Sequence, residues 1–332
     1  MLRWSVMRWV VALPLLCAGF SAAAASCNHP GPVTATGTMI ADVASREQRE
    51  FGGHVIGHDG SFGKFGAVES ESELLHDPET GLPAADRSGR FAWRRVWAYW
   101  LALDRHAEGE ALSRKVLFVP GLLEDPDTSE RTRELTLADL FRGLEKIDPD
   151  IDAALRQAAV RATLNDSAWS AAFIAYLMDA AQLTKAQFRY SAAHALYIQR
   201  AFAAPAEYAF RACDPRKTIP RPGDLLCYSR GATPLKNFAA WQAATARPHF
   251  RVASHCDAVV AVDLAANKID TVGGNVLQSV TRRSLKLNAA HRLSASYDPD
   301  RAARNARHCA KGTSCGRENF NVQYWGVLLQ LQ

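Results

Sequence analysis

The spacing of apolar residues changes character near Pro220, and no other feature of this 332-residue chain limits its fold as strongly. Ahead of that point, IADVASREQREF (40–51), FAWRRVWAYWLALDRH (91–106), LADLFRGLEKI, IDAALRQAAVRATL, AWSAAFIAYLM (168–178) and YSAAHALYIQRAFAA (190–204) carry apolar residues at helical intervals. Beyond it, PRPGDLLCYSR, HCDAVVAVDLAANKIDTVGGNV and YWGVLLQLQ are short β-branched or apolar runs broken by Gly, Pro and Asn. Helices followed by strands predict an α+β chain, with N-terminal helices packed against a small antiparallel sheet. FGGHVIGHDGSFGKFG adds a short hairpin turning at Asp59 and Gly60. Residues 28–38 read as an extended leader, 74–90 as a loop, and 121–133 as a polar separator. VGGNV reads as a strand-end turn; without a following helix it excludes a dinucleotide site.

The first residues, MLRWSVMRWVVALPLLCAGFSAAAASC, place Arg3 and Arg8 before an apolar run and small residues, the pattern of a secretory signal peptide over 1–25. The run from Trp9 to Phe20 is short of the roughly 20 residues a spanning helix needs, so no integral span is expected after cleavage. The predicted location is periplasmic or secreted, with a lipid anchor at Cys27 as a minor alternative. A mostly helical region over 26–159 then precedes a domain over 160–332. The formal charge of +5 includes Arg3 and Arg8, and the remaining charges are interspersed, so nucleic acid is not implied. Cys27, Cys213, Cys227, Cys256, Cys309 and Cys315 remain in the mature chain, an even number that favours disulfides in an exported protein. Cys309 and Cys315, bracketing AKGTS, are the expected pair. No CxxC occurs, so zinc is not expected, and no cofactor is implied.

Four blocks stand in chain order: AWSAAFIAYLM, PRPGDLLCY (220–228), SHCDAVVAVD (254–263) and IDTVGGNV (269–276). Together they resemble the papain-like cell-wall amidases and peptidases of the CHAP and NlpC type. The chain is also similar, over most of residues 45–290, to the uncharacterised bacterial family called domain of unknown function 2272, including its Phe-Gly-Gly segment at 51–53. The resemblance implies a papain-like domain whose ligand is peptidoglycan or a related peptide and whose reaction is amide hydrolysis. It implies Ser170 as nucleophile in the first turn of a helix, His255 as general base and Asn275 as the residue that orients it. Trp169, Asp257, Tyr190 and His194 fall on the substrate side. Ser170 stands where those enzymes carry cysteine. A cysteine gains its reactivity as a thiolate paired with histidine, whereas a serine must lose its proton during attack. Two readings therefore stand: a serine amidohydrolase, or a catalytically inactive module that binds cell wall or an envelope protein.

Other residues have plainer readings. On a regular strand Cys256 points away from the face His255 uses, while Asp257 shares that face and can orient the ring or bind a substrate amine. Cys227 suits a disulfide or a buried apolar role. Ser191 and His194 have the spacing of surface or capping residues, Asp224 of a turn residue, and Glu69, Glu71 and Glu73 of a solvated stretch. His54 and His58 lie among Gly52, Gly53 and Gly57, which oppose the helix a metal pair needs. Phe91, Val96, Trp97, Trp100 and Leu101 read as a core stripe.

Overall fold

Helix α1 (Ala35–Glu50) begins five residues before the IADV pattern because Thr34 caps it, its hydroxyl accepting the Gly37 N–H at 3.0 Å. The computed structural model describes residue 27 and residues 31–70, 92–144, 148–306 and 319–332. The predicted signal peptide over 1–25, the 74–90 loop, Glu71, Glu73, Phe91 and the Cys309–Cys315 pair lie outside these, while the last four residues of the expected extended stretch at 28–38 are already helical in α1. Gly37 is required where α1 crosses the Pro-Gly turn, since a Cβ there would meet the Pro222 carbonyl at 2.7 Å. Helix α2 (Ala92–Asp104) buries Trp93, Val96, Tyr99, Trp100 and Leu103, leaving Leu101 of the predicted stripe exposed. Helix α3 (Leu137–Gly143) starts with a Thr136–Asp139 capping box, and α4 (Pro149–Asp166) has Asp148 as its N-cap and proline in the first turn. The remaining helices are α5 (Ser170–Ala180), α6 (His194–Ala203), α7 (Phe238–Thr245) and α8 (Pro299–Ala306).

The strands are β1 (His54–Ile56), β2 (Phe62–Lys64), β3 (Lys115–Phe118), β4 (Arg133–Thr136), β5 (Phe210–Cys213), β6 (Leu225–Ser229), β7 (Ser254–Asp263), β8 (Lys268–Val276), β9 (Ser279–Lys286) and β10 (Trp325–Leu331). Eight form one sheet in the order β2-β1-β9-β8-β7-β6-β10-β5. Only the β1–β9 pairing is parallel. The α+β class predicted from the chain order holds, but the sheet is mixed and larger than expected, because the 54–64 hairpin joins it. The polar separator also has structure: β3 and β4 on its flanks pair as a second, two-stranded sheet.

Helix α5 lies against β7 and β8, with α2 and α1 also packed on it and α1 running on to β9. The closest approach is at Gly274, where a Cβ would sit 2.5 Å from the Phe173 Cβ. A smaller core including Leu226, Tyr228, Ile269, Leu285 and Trp325 forms a separate cluster. The helices are joined at Glu47, buried on α1, which accepts Arg95 Nε and Nη2 at 2.8 and 2.6 Å and the Tyr99 hydroxyl at 2.7 Å. Burial with these donors makes it a structural carboxylate.

Two disulfides are present among the described residues. Cys27 bonds Cys213 on β5 across 186 residues, and a sulfur so bound is not available for the lipid considered above. Cys227 bonds Cys256, its direct partner in the β6–β7 ladder, which agrees with the disulfide reading of Cys227. No described helix is long and apolar enough to cross a membrane. Gly274→Ala forces Phe173 and α5 off β8 and is expected to cost about 1–3 kcal/mol, measured as a lower urea midpoint with an unchanged slope.

Candidate active site

Ser170 is the first residue of α5. Trp169 precedes it as N-cap without offering a side-chain hydrogen bond, so no side chain caps the first-turn amides at the positive end of the helix dipole. The Ser170 Oγ lies 2.6 Å from His194 Nε2. His194 opens α6 and is buried rather than the surface or capping residue its spacing with Ser191 predicts; Ser191 Oγ accepts the Ala193 N–H instead. On its other side, His194 Nδ1 pairs with the Tyr197 hydroxyl, one helical turn on. Burial holds His194 well below its ordinary pKa, and the nearby charges of His255 and Arg230 add to the effect. The ring is therefore neutral at neutral pH. In the tautomer with its proton on Nδ1, its Nε2 accepts the serine O–H.

His255 lies next to this pair, its ring centroid 5.2 Å from that of His194 and 5.3 Å from that of Tyr228. It does not hydrogen-bond Ser170. Its Nε2 is 2.8 Å from Asp257 Oδ1, and its Nδ1 is buried with no partner among the described residues. Asp257 is also bound at Oδ2 by the Thr271 hydroxyl at 3.1 Å and lies 3.2 Å from Arg283 Nε. Arg283 is itself buried and donates from Nη1 to the Phe320 carbonyl at 2.5 Å. Burial pushes the Asp257 carboxyl up, but the His255 hydrogen bond and the Arg283 charge outweigh it and hold the group below the usual carboxylate range. His255 is lowered by burial against the opposing pull of Asp257. The pair is thus a neutral imidazole beside a carboxylate.

Strand alternation explains why His194, and not His255, reaches the serine. Cys256 and Ala258 join the core that contains α5, which turns His255 and Asp257 toward the opposite face. Gly273 faces the His–Asp pair: a Cβ there would sit 2.0 Å from Asp257 Oδ1 and 2.9 Å from His255 Nε2. Asn275 does not orient His255, because Asp257 occupies the only engaged ring nitrogen. Asn275 instead takes a positive φ of 54° at the irregular end of β8, a conformation asparagine adopts more readily than most residues. VGGNV is thus the last part of β8, irregular between Gly273 and Val276, and the turn follows it at Leu277 and Gln278.

The other predicted contacts lie elsewhere. Trp169 is fully buried against Phe51 and Tyr99, which makes it core. Tyr190 donates to the Leu183 carbonyl at 2.6 Å and stacks on His106, at some remove from Ser170 in its contacts. Asp224 is the turn residue expected, accepting the Arg221 and Leu331 amides at 2.8 and 2.9 Å. Glu69 is buried rather than solvated, its carboxyl pushed up to about 7 by burial. His54 is a strand residue packed between Phe62 and Phe65, and no metal-binding group of three or more ligands exists among the described residues. Tyr197 was legible as the i+3 neighbour of His194; Thr271 and Arg283 enter through strand register, which the sequence does not display.

Ser170 is 3 % exposed and His255 1 %, so both side chains sit behind a wall of neighbours. A cavity of about 430 Å³ opens beside that wall. It is lined by Ala193 and Ala195, which bracket His194, and by Phe250, Arg251 and Ala253 on the approach to β7.

These observations define an α+β chain whose mixed sheet carries a serine-bearing helix, with two buried histidines at the junction. Comparison places it more closely: the chain belongs to the bacterial family DUF2272, described as an uncharacterized protein conserved in bacteria, which matches residues 144–331. The matched span holds Ser170, His194, His255, Asp257 and Arg283, begins later than the resemblance at 45–290 suggested, and takes in β10. No curated protein and no solved structure matches the chain.

Asp257→Ala leaves Arg283 buried without its counter-charge and is expected to cost about 3–5 kcal/mol in urea denaturation.

Proposed function

We propose that this protein is an exported cell-envelope amidohydrolase of papain-like design that cleaves peptide amide bonds in peptidoglycan or a related peptide by serine acyl transfer. The observation that carries the proposal is the 2.6 Å contact between Ser170 Oγ and His194 Nε2 at the start of α5. It supports a change of roles from the resemblance: Ser170 remains the nucleophile, and His194 replaces His255 as the proton acceptor.

Ser170 Oγ attacks the amide carbonyl carbon while its proton passes to His194 Nε2. The oxyanion develops near the α5 N-terminus, where helix-end amides stabilise negative charge. The C–N bond then breaks, the amine leaves with the proton from His194, and an ester remains on Ser170. Water, activated by the same histidine, hydrolyses that ester. The His255 ring packs beside that of His194, 5.2 Å between centroids, and limits its movement.

The burial of Ser170 favours one competing reading, a non-catalytic module that retains the polar cluster as a structural element and binds cell wall or an envelope protein. Incubation with purified sacculi followed by fragment analysis separates the two. The hydrolase is expected to release peptide fragments, with Ser170→Ala and His194→Ala each lowering the rate by about 10²–10⁴-fold. A binding module releases nothing, and its saturable retention on sacculi survives Ser170→Ala. Ser170→Cys keeps measurable turnover if the site accepts a larger nucleophile.

The depressed His194 pKa gives a pH expectation. A histidine held below its ordinary value stays deprotonated as pH falls through about 6.5. Activity is therefore expected to be level from pH 8 to 6 and to decline only under more acidic conditions. A decline centred at about 6.5 would contradict His194 as the base.

A further inference from the structure

Helix α6 carries His194 at its first residue and lines two neighbouring cavities that share Gln199. The one beside His194 is lined in part by Phe250, Arg251 and His249. The other, about 440 Å³, is lined in part by Arg189, Arg200, Phe202 and Gln242. Neither has an acidic residue in its lining. Gln199 is held between them by donating to the Thr245 carbonyl at 3.0 Å, so the two spaces lie along one ordered surface.

The arginines of this surface are set apart by lining cavities that hold no carboxylate. Arg95, Arg105, Arg114, Arg156 and Arg283 each face a carboxylate within an ion pair. Arg189 and Arg200 line one cavity and Arg251 the other, and none of the three forms an ion pair among the described residues. A guanidinium presents a planar fork of donors that matches a carboxylate in two-point contact. Apolar walls at Leu196, Phe202 and Phe250 interleave with those forks. The lining runs along α6 from Ala193 to Ala203, which at a rise of about 1.5 Å per residue is roughly 15 Å. An extended peptide of about four or five residues covers that length.

We infer that the α6 groove binds an extended peptide bearing several carboxylates, held by Arg189, Arg200 and Arg251. The inference rests on the proposed hydrolase reading for its direction, since the end bracketed by Ala193 and Ala195 brings the peptide to His194. Binding itself needs no turnover.

The test is fluorescence anisotropy of a labelled pentaglutamate peptide titrated with the full mature Ser170→Ala protein. Saturable binding is expected, weakening as salt rises and absent with pentalysine. The Arg189→Gln, Arg200→Gln double variant and the Arg251→Gln variant are each expected to bind about tenfold more weakly, with thermal midpoints unchanged. If a glutamine variant unfolds, the corresponding Arg→Lys variant, which keeps charge and loses the fork, shows an intermediate loss. Absence of saturable binding overturns the inference. So does binding indifferent to these arginines, or equal affinity for a linear polyphosphate of matched charge. Pentaglutamate binding without sacculus hydrolysis leaves the groove standing and removes the hydrolase; hydrolysis without pentaglutamate binding does the reverse.

Discussion

A carboxylate shut away from water must have its charge answered by its neighbours, and Asp257 imposes that demand on three adjacent strands. It sits on β7, takes the Thr271 hydroxyl from β8 and faces the Arg283 guanidinium from β9. Each partner reaches it only if the strands keep their register, so electrostatics and sheet geometry specify the same arrangement. The space for this cluster exists because position 273 is glycine. Arg283 in turn ties the sheet to the Phe320 carbonyl, which carries the constraint from the strands into the chain leading to β10.

Much of the frame was legible in the chain. Periodicity placed the helices ahead of the main strands but not α7 and α8, which lie among the strands, and the Asp59–Gly60 turn marked its hairpin. The motif placed Ser170 in the first turn of α5, although the capping residues Asn165, Asp166 and Ser167 that precede it belong to the end of α4 and the helix is capped by Trp169. What escaped was whatever depends on distant partners. His194 looked like a cap because its helix was read as starting at Tyr190; the helix starts at His194 itself, and burial beside Ser170 is a tertiary fact. Asn275 looked like an orienter, but local backbone conformation governs that position. Glycines 273 and 274 read as a turn, whereas each is needed because a neighbour comes too close for a side chain: the histidine and aspartate at one, Phe173 at the other. Hairpin β3–β4 flanks a segment whose polarity concealed it.

The serine at position 170 has a physical rationale in this setting. A thiolate and an imidazolium together would place two charges in a closed, low-dielectric site, and both would require compensation. A hydroxyl shared with a neutral imidazole carries no net charge and remains satisfied by one short contact. Burial thus suits Ser170 and His194 in their resting state and would penalise the ion pair of a cysteine site. The same burial keeps solvent away from the cluster, and the nearest described cavity is the one lined by Ala193, Ala195 and the approach to β7.

The Cys227–Cys256 bond takes on a further meaning beside the ladder pair next to it, Tyr228 and His255. A β-strand displaced by one residue exchanges its two faces, which would present Cys256 where the histidine belongs and send the histidine toward α5. A covalent link between directly opposed residues, one step from His255, forbids that slip outright. The disulfide fixes, at the level of a single residue, which side of the sheet the imidazole occupies, and it would do so even while the surrounding wall opened to admit a ligand.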